Sequence, residues 1–128
     1  MSSIPEVNES NWEKEVSPSD RLTVVYFWHK QCPWCFQLNP IFNEIAADYE
    51  GRVKFAKLNV LVSSTNQEMA TNLGVMSTPT LMFFCNGRSV GQAVGLMSKE
   101  DLNRILNDVL GRYRKCIAQS TDFRDYIV

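Results

Sequence analysis

At 128 residues the chain is the size of one domain, and its 45% hydrophobic and 21% charged content is that of an ordinary globular protein, large enough to fold without disulfide staples or a structural metal. Thirteen basic residues against fourteen acidic ones leave a formal charge of −1, which excludes the electrostatic footprint of a nucleic-acid binder or of a protein drawn to an anionic membrane. The longest apolar runs, residues 22–28 and 80–85, fall far short of the roughly 18 or more residues of a membrane span. The opening residues show neither a basic leader nor an apolar signal core, so a reducing cytoplasm is the expected compartment. In that compartment four cysteines read as redox-active, metal-binding or inert rather than as a disulfide framework.

Short strands alternate with helices along the chain, with no internal repeat, which gives an α/β class. Residues 4–7 are an edge-strand candidate, because Pro5 has no N–H to donate to a ladder. A short helix over about residues 9–16 follows, and Ser17, Pro18, Ser19 and Asp20 read as a turn. Residues 22–28, Leu-Thr-Val-Val-Tyr-Phe-Trp, are β-branched and aromatic without alternation, as in a central strand buried on both faces. From Cys35 onward Leu38, Ile41, Phe42, Ile45, Ala46 and Tyr49 share one helical face, with Pro40 inside the helix and Gly51 ending it. Residues 53–60 form the next strand and residues 66–73 a helix stopped by Gly74. Asn86-Gly87 between residues 80–85 and 89–94 predicts an antiparallel hairpin. Ser98 caps a last helix, whose apolar face runs from Leu102 past Gly111 to Cys116 and Ile117.

The chemistry concentrates at Cys32-Pro33-Trp34-Cys35, set between the apolar strand and the long helix. A helix N-terminus presents unpaired N–H groups and partial positive charge, which stabilise a thiolate. Cys32 is therefore the candidate nucleophile and the more exposed, more acidic thiol. Cys35, one turn on, is placed to attack a mixed disulfide on Cys32 and release the reduced substrate. A four-cysteine zinc site would need Cys85 and Cys116 as well, and their spacing is not that of a zinc knuckle. Those two read as small buried hydrophobes. His29, three residues before Cys32, is either a solvated loop residue or a tuner of the thiolate.

Val-Tyr-Phe-Trp followed by Cys-x-x-Cys, Pro40, Lys57, Thr78-Pro79-Thr80 and Val94-Gly95 together resemble the thioredoxin family over about residues 4–110. The resemblance implies a thioredoxin-like fold, with a central mixed sheet of five strands flanked by about four helices. It divides the chain into a thioredoxin-like domain, 1–110, and a C-terminal helix extension and tail, 111–128, which either packs on the domain or docks a partner. It implies a thiol-disulfide oxidoreductase, a protein-disulfide reductase acting on disulfide-containing proteins, with electrons from a separate reductase and no bound cofactor or metal. Thr78-Pro79 would be a cis bond facing the cysteines, with the Thr78 backbone pairing an extended substrate segment. Trp28, Pro33, Trp34 and Gly95 would line the same shallow groove, and Lys57 would assist proton transfer or be silent.

The chain departs from the family pattern in three ways. Pro33-Trp34 replaces the usual Gly-Pro and is closer to the Pro-aromatic pair of glutaredoxins. A glutathione-dependent reductase is accordingly one alternative, although no anchoring set for glutathione's carboxylates is visible; a non-enzymatic interaction or metal-binding module on the same fold is another. The family's buried aspartate aligns with Tyr26, and an acidic residue two places after the strand's Asn aligns with Leu61. The first two changes are expected to favour the thiolate form and raise the redox potential above that of thioredoxin.

Overall fold

The computed structural model describes residues 4–17 and 21–113. Cys116 and the rest of residues 114–128 lie outside them, as do Pro18, Ser19 and Asp20 of the expected turn. The elements run α1 (Trp12–Val16), β1 (Leu22–Trp28), α2 (Pro33–Asp48), β2 (Val53–Asn59), α3 (Ser64–Asn72), β3 (Thr80–Cys85), β4 (Arg88–Val94) and α4 (Lys99–Tyr113). The strands form one mixed sheet in the order β2-β1-β3-β4, with β1 parallel to β2 and antiparallel to β3, and β3 antiparallel to β4.

The expected fifth strand is not formed. Residues 4–7 contribute a single parallel bridge, Glu6 to Lys57, in which Val7 N–H donates to the Lys57 carbonyl at 2.7 Å and Lys57 N–H donates to the Pro5 carbonyl at 2.9 Å. Pro5 has no N–H to extend the ladder, and beyond Val7 the chain is taken up by local side-chain bonds. Asn8 Oδ1 accepts from Ser10 N–H, and Asn11 Oδ1 accepts from Asn8 N–H. The same bonds delay the first helix, which begins at Trp12 instead of about residue 9.

Every residue of β1 except Trp28 is buried, as a strand covered on both faces requires. One face, with Val24, Tyr26, Leu81, Phe83 and Phe55, packs under Leu38, Phe42 and Ile45 of α2 and Leu102 and Leu106 of α4. The other, with Val25, Phe27, Ala56, Leu58, Met82 and Phe84, is covered by Val16 and Trp12 of α1 and Ala70 and Met69 of α3. Each large side chain so buried contributes roughly 1.5–3 kcal/mol relative to exposure. Polar contacts fasten the covering helices. Lys99 at the start of α4 binds Glu44 and Asp48 of α2 at 3.3 and 3.2 Å, and the Tyr49 hydroxyl donates to Asn103 Oδ1.

Element ends follow from local chemistry. Ser63 Oγ accepts from Asn66 N–H at 3.1 Å, so α3 starts two residues before its expected position, and Ser98 Oγ accepts from Asp101 N–H at 3.0 Å at the start of α4. Asn86 (φ 57°) and Gly87 (φ 81°) are both left-handed, the geometry a tight two-residue hairpin turn demands.

Candidate active site

The carboxyl end of β1 and the amino end of α2 meet at Cys32, the N-cap of α2. Cys32 and Cys35 are joined as a disulfide, with Cα atoms 5.2 Å apart, one helical turn. The Cys35 N–H donates to Cys32 Sγ at 3.2 Å and also to the Cys32 carbonyl at 3.1 Å. Pro33 occupies the first helical position, where a missing N–H costs nothing because that group has no partner inside a helix. A sulfur that already accepts a backbone N–H at the positive end of a 16-residue helix is stabilised as a thiolate once the disulfide opens. Cys32 is 4% and Cys35 1% exposed, so the expected contrast in exposure is small and both sulfurs lie beneath the surface of the oxidised molecule.

Trp28 packs against the cluster that contains both cysteines, and Lys57 Nζ sits 5.1 Å from its ring centroid, a cation–π contact. Lys57 also bridges to Glu6, whose carboxyl is pushed above its usual range by burial, against the opposing charge of Lys57 and the nearby Trp28 indole. Trp28 Nε1 is nevertheless buried without an acceptor in hydrogen-bond geometry, so the carboxylate faces the indole but does not complete that bond. Trp34 is 55% exposed on the first turn of α2. Thr78-Pro79 is cis, and the Pro79 carbonyl accepts from Gly95 N–H at 2.9 Å, which ties the start of β3 to the end of β4. Thr78 and His29 line a groove of about 240 Å³, together with Leu61, Ala70, Val75 and Met76 among others. A second groove of about 380 Å³ lies between His29, Lys30, Asn59, Leu61 and Val62. His29 reaches the cysteines through its backbone, its carbonyl accepting from Cys32 N–H at 3.4 Å, while its Nδ1 accepts from Gln31 N–H.

Sequence reasoning missed three features of this region. Met76 is 93% exposed beside the Thr78-Pro79 loop, and with Leu61 and Val62 it makes the surroundings apolar. No periodicity marks a loop methionine; only its place before the Thr-Pro pair could have done so. Tyr26, read solely as the loss of an acid, donates through its hydroxyl to Asn39 Oδ1 and to the Cys35 carbonyl. Cys85 is buried as expected at the end of β3, but it is disulfide-bonded and so is more than a small hydrophobe.

The family model for thioredoxin matches residues 3–108, most of the chain and every residue of the site. The chain belongs to the thioredoxin family. It is 37% identical over 106 residues to "Thioredoxin 1" of Nostoc sp., covering 83% of this chain and 96% of that protein. Against the thioredoxin of Synechocystis sp. it is 36% identical over 110 residues, 86% of this chain and all of the relative. A chloroplastic M-type thioredoxin of Brassica napus is 41% identical over 101 residues, 77% of this chain and 54% of that longer protein. Together with the Cys32-Cys35 pair at disulfide distance, these likenesses make the protein a thiol-disulfide oxidoreductase, of a family whose members act on disulfide-containing substrates and work with a reductase partner. Among the described residues, no helix is long and apolar enough to cross a membrane.

Proposed function

We propose that this protein reduces protein disulfides with Cys32 as the attacking thiolate and Cys35 as the resolving thiol. One contact carries the assignment: the Cys35 N–H donated to Cys32 Sγ at 3.2 Å at the N-terminus of α2. The Cys32 thiolate attacks one sulfur of the substrate disulfide, forming a Cys32–substrate bond and releasing the other substrate sulfur with its electron pair and a proton from solvent. Cys35, having lost its proton, then attacks Cys32 Sγ. The Cys32–Cys35 bond forms, the Cys32–substrate bond breaks and the second substrate thiol leaves. Two electrons have passed to the substrate, and a separate reductase returns them.

The Thr78 backbone, set by the cis Pro79, pairs with an extended substrate segment, while Trp28, Pro33, Trp34 and Gly95 line its path. An apolar substrate side chain fits the groove between Leu61 and Met76. Lys57 serves proton transfer beside Trp28, the activity resides in residues 1–110 with 111–128 as an extension, and the working compartment is the reducing cytoplasm.

Reduction of insulin disulfides by dithiothreitol tests the assignment. Cys32→Ser is expected to lower the catalysed rate to background, and Cys35→Ser to hold insulin in a stable mixed disulfide on Cys32. Undiminished turnover in Cys32→Ser, or trapping on Cys35 in place of Cys32, would reverse the roles.

A further inference from the structure

Tyr26 lies in the middle of β1, fully buried, its ring 4.8 Å from that of Phe42 on α2. Its hydroxyl is 2.7 Å from Asn39 Oδ1 and 3.1 Å from the carbonyl oxygen of Cys35. Both partners are acceptors, so the single hydroxyl proton is shared between a side chain and the backbone of a redox cysteine. Phenylalanine would fill the same space. What tyrosine adds is one donor, aimed at the turn that carries Cys35.

That turn needs an outside tie. Pro40 lies within α2 and has no N–H to give the carbonyl of Phe36, the residue after Cys35. The turn that carries the resolving cysteine and Asn39 therefore lacks one internal hydrogen bond. Burial keeps the Tyr26 phenol far above its usual range, so the hydroxyl retains its proton at any pH where thiols exchange. Lys57 is its register partner on β2. The contact is thus a fixed, uncharged donor where the resemblance places an ionisable acid.

We infer that Tyr26 is a positioning residue for disulfide exchange, its hydroxyl holding the Cys35 backbone beneath Cys32 while the bond between the two sulfurs is open. The inference rests on the assignment of Cys35 as the resolving thiol. Resolution is an intramolecular attack of the Cys35 thiolate on Cys32 Sγ, with the substrate sulfur leaving with the electron pair, and such attack is sensitive to small displacements of the nucleophile. The first attack, by Cys32 on substrate, does not pass through this contact.

The reduced full-length protein mixed with dithionitrobenzoate in a stopped-flow instrument separates the two steps. One thionitrobenzoate is released when Cys32 attacks and a second when Cys35 resolves the mixed disulfide. Tyr26→Phe is expected to leave the first phase at the wild-type rate and to slow the second by roughly three- to tenfold, the size of effect one neutral hydrogen bond can exert. With insulin, kcat should fall while KM is unchanged, since the buried ring does not meet substrate. Asn39→Ala leaves the hydroxyl its carbonyl acceptor and should keep the wild-type second phase. The proposal is overturned if Tyr26→Phe resolves at the wild-type rate, if both of its phases slow equally, or if Asn39→Ala slows resolution as much. Cys35→Ser is the separate control on the underlying assignment: it must abolish the second phase whatever Tyr26→Phe does, and persistence of that phase would remove Cys35 from the reaction.

Discussion

The two faces of the sheet are built from similar residues and do different work. Under α1 and α3, Phe27, Leu58, Met82 and Phe84 pack side chain against side chain, and the buried Asn66 at the margin uses its amide to bind the Asn59 carbonyl at 3.0 Å. Under α2 and α4 two donors are aimed at the redox pair: the Cys35 N–H at Cys32 Sγ and the Tyr26 hydroxyl at the Cys35 carbonyl. A dithiol set in an apolar cluster has no water to solvate a thiolate, so the donors must be fixed in advance. The first face supplies rigidity, and the second spends that rigidity on geometry.

Two substitutions set the faces apart most sharply. Cys35→Ser on the catalytic face should abolish turnover with little loss of stability in the reduced protein. Phe27→Ala on the other face should cost about 3–5 kcal/mol of stability and leave activity per folded molecule intact, as read from urea denaturation and from insulin reduction at low denaturant. A stability loss of that size from Cys35→Ser, or a resolving-step defect in Phe27→Ala, would mean that the faces are not separable. Leu61→Asp, placing a carboxylate in the apolar groove, should raise KM for insulin by about threefold, or about 0.6 kcal/mol of binding, with kcat unchanged; an equal fall in kcat would place Leu61 in the chemistry rather than in substrate contact.

A smaller effect is expected of redox poise. Pro33 and Trp34 alter the surroundings of Cys32 Sγ, and Tyr26 brings no negative charge beneath it, so the thiolate form is favoured and the midpoint should lie above the roughly −270 mV of thioredoxin, toward −230 mV. Pro33→Gly with Trp34→Pro should lower it by about 30 mV, equivalent to about 1.4 kcal/mol. Equilibration against glutathione buffers, followed by Trp28 fluorescence, measures both; a wild-type midpoint at or below −270 mV would give the Pro-Trp pair the opposite sign.

The smallest effect lies at the bridged edge. Burial raises the Glu6 carboxyl above its ordinary value, so its contribution to stability is present below the usual glutamate range and is lost as pH rises through the raised value. Glu6→Gln, neutral throughout, should therefore gain on the wild type as pH rises from the ordinary glutamate range through the raised value, by no more than about 2 °C in Tm because solvent still reaches the residue. A difference that shrinks over that interval would show that the Lys57 charge outweighs burial.

Much of this was legible in the chain where a local rule acts alone. Asn86-Gly87 specifies its turn by backbone conformation, Ser98 its cap by one oxygen, and Cys-x-x-Cys its placement by the switch from an apolar strand to a helical period. The readings that failed depended on contacts between distant segments. Whether residues 4–7 become a strand is decided by how many N–H groups can meet β2, and Pro5 reduces that to one bridge. Nothing near Tyr26 in sequence announces that its hydroxyl ends at a carbonyl nine residues away. Met76 looks like any apolar loop residue until the β2–α3 connection brings Leu61 to the same groove.

The register shift between β3 and β4 reaches beyond the active site. Phe83 pairs with Gly91 and Phe84 with Ser89, so Val90 is left over as a bulge in the outermost strand. The opposite border of the sheet is covered by residues 5–7, whereas among the described residues no strand pairs with the outer edge of β4, on which Arg88, Ser89 and Gln92 are exposed. A flat, unpaired border invites another chain to add itself as the next strand, and a bulge with a charged neighbour spoils the template. On the proposed reading, in which the Thr78 loop pairs an extended substrate segment, a spoiled outer edge leaves that loop as the place for strand addition and guards the molecule against polymerising through its own border.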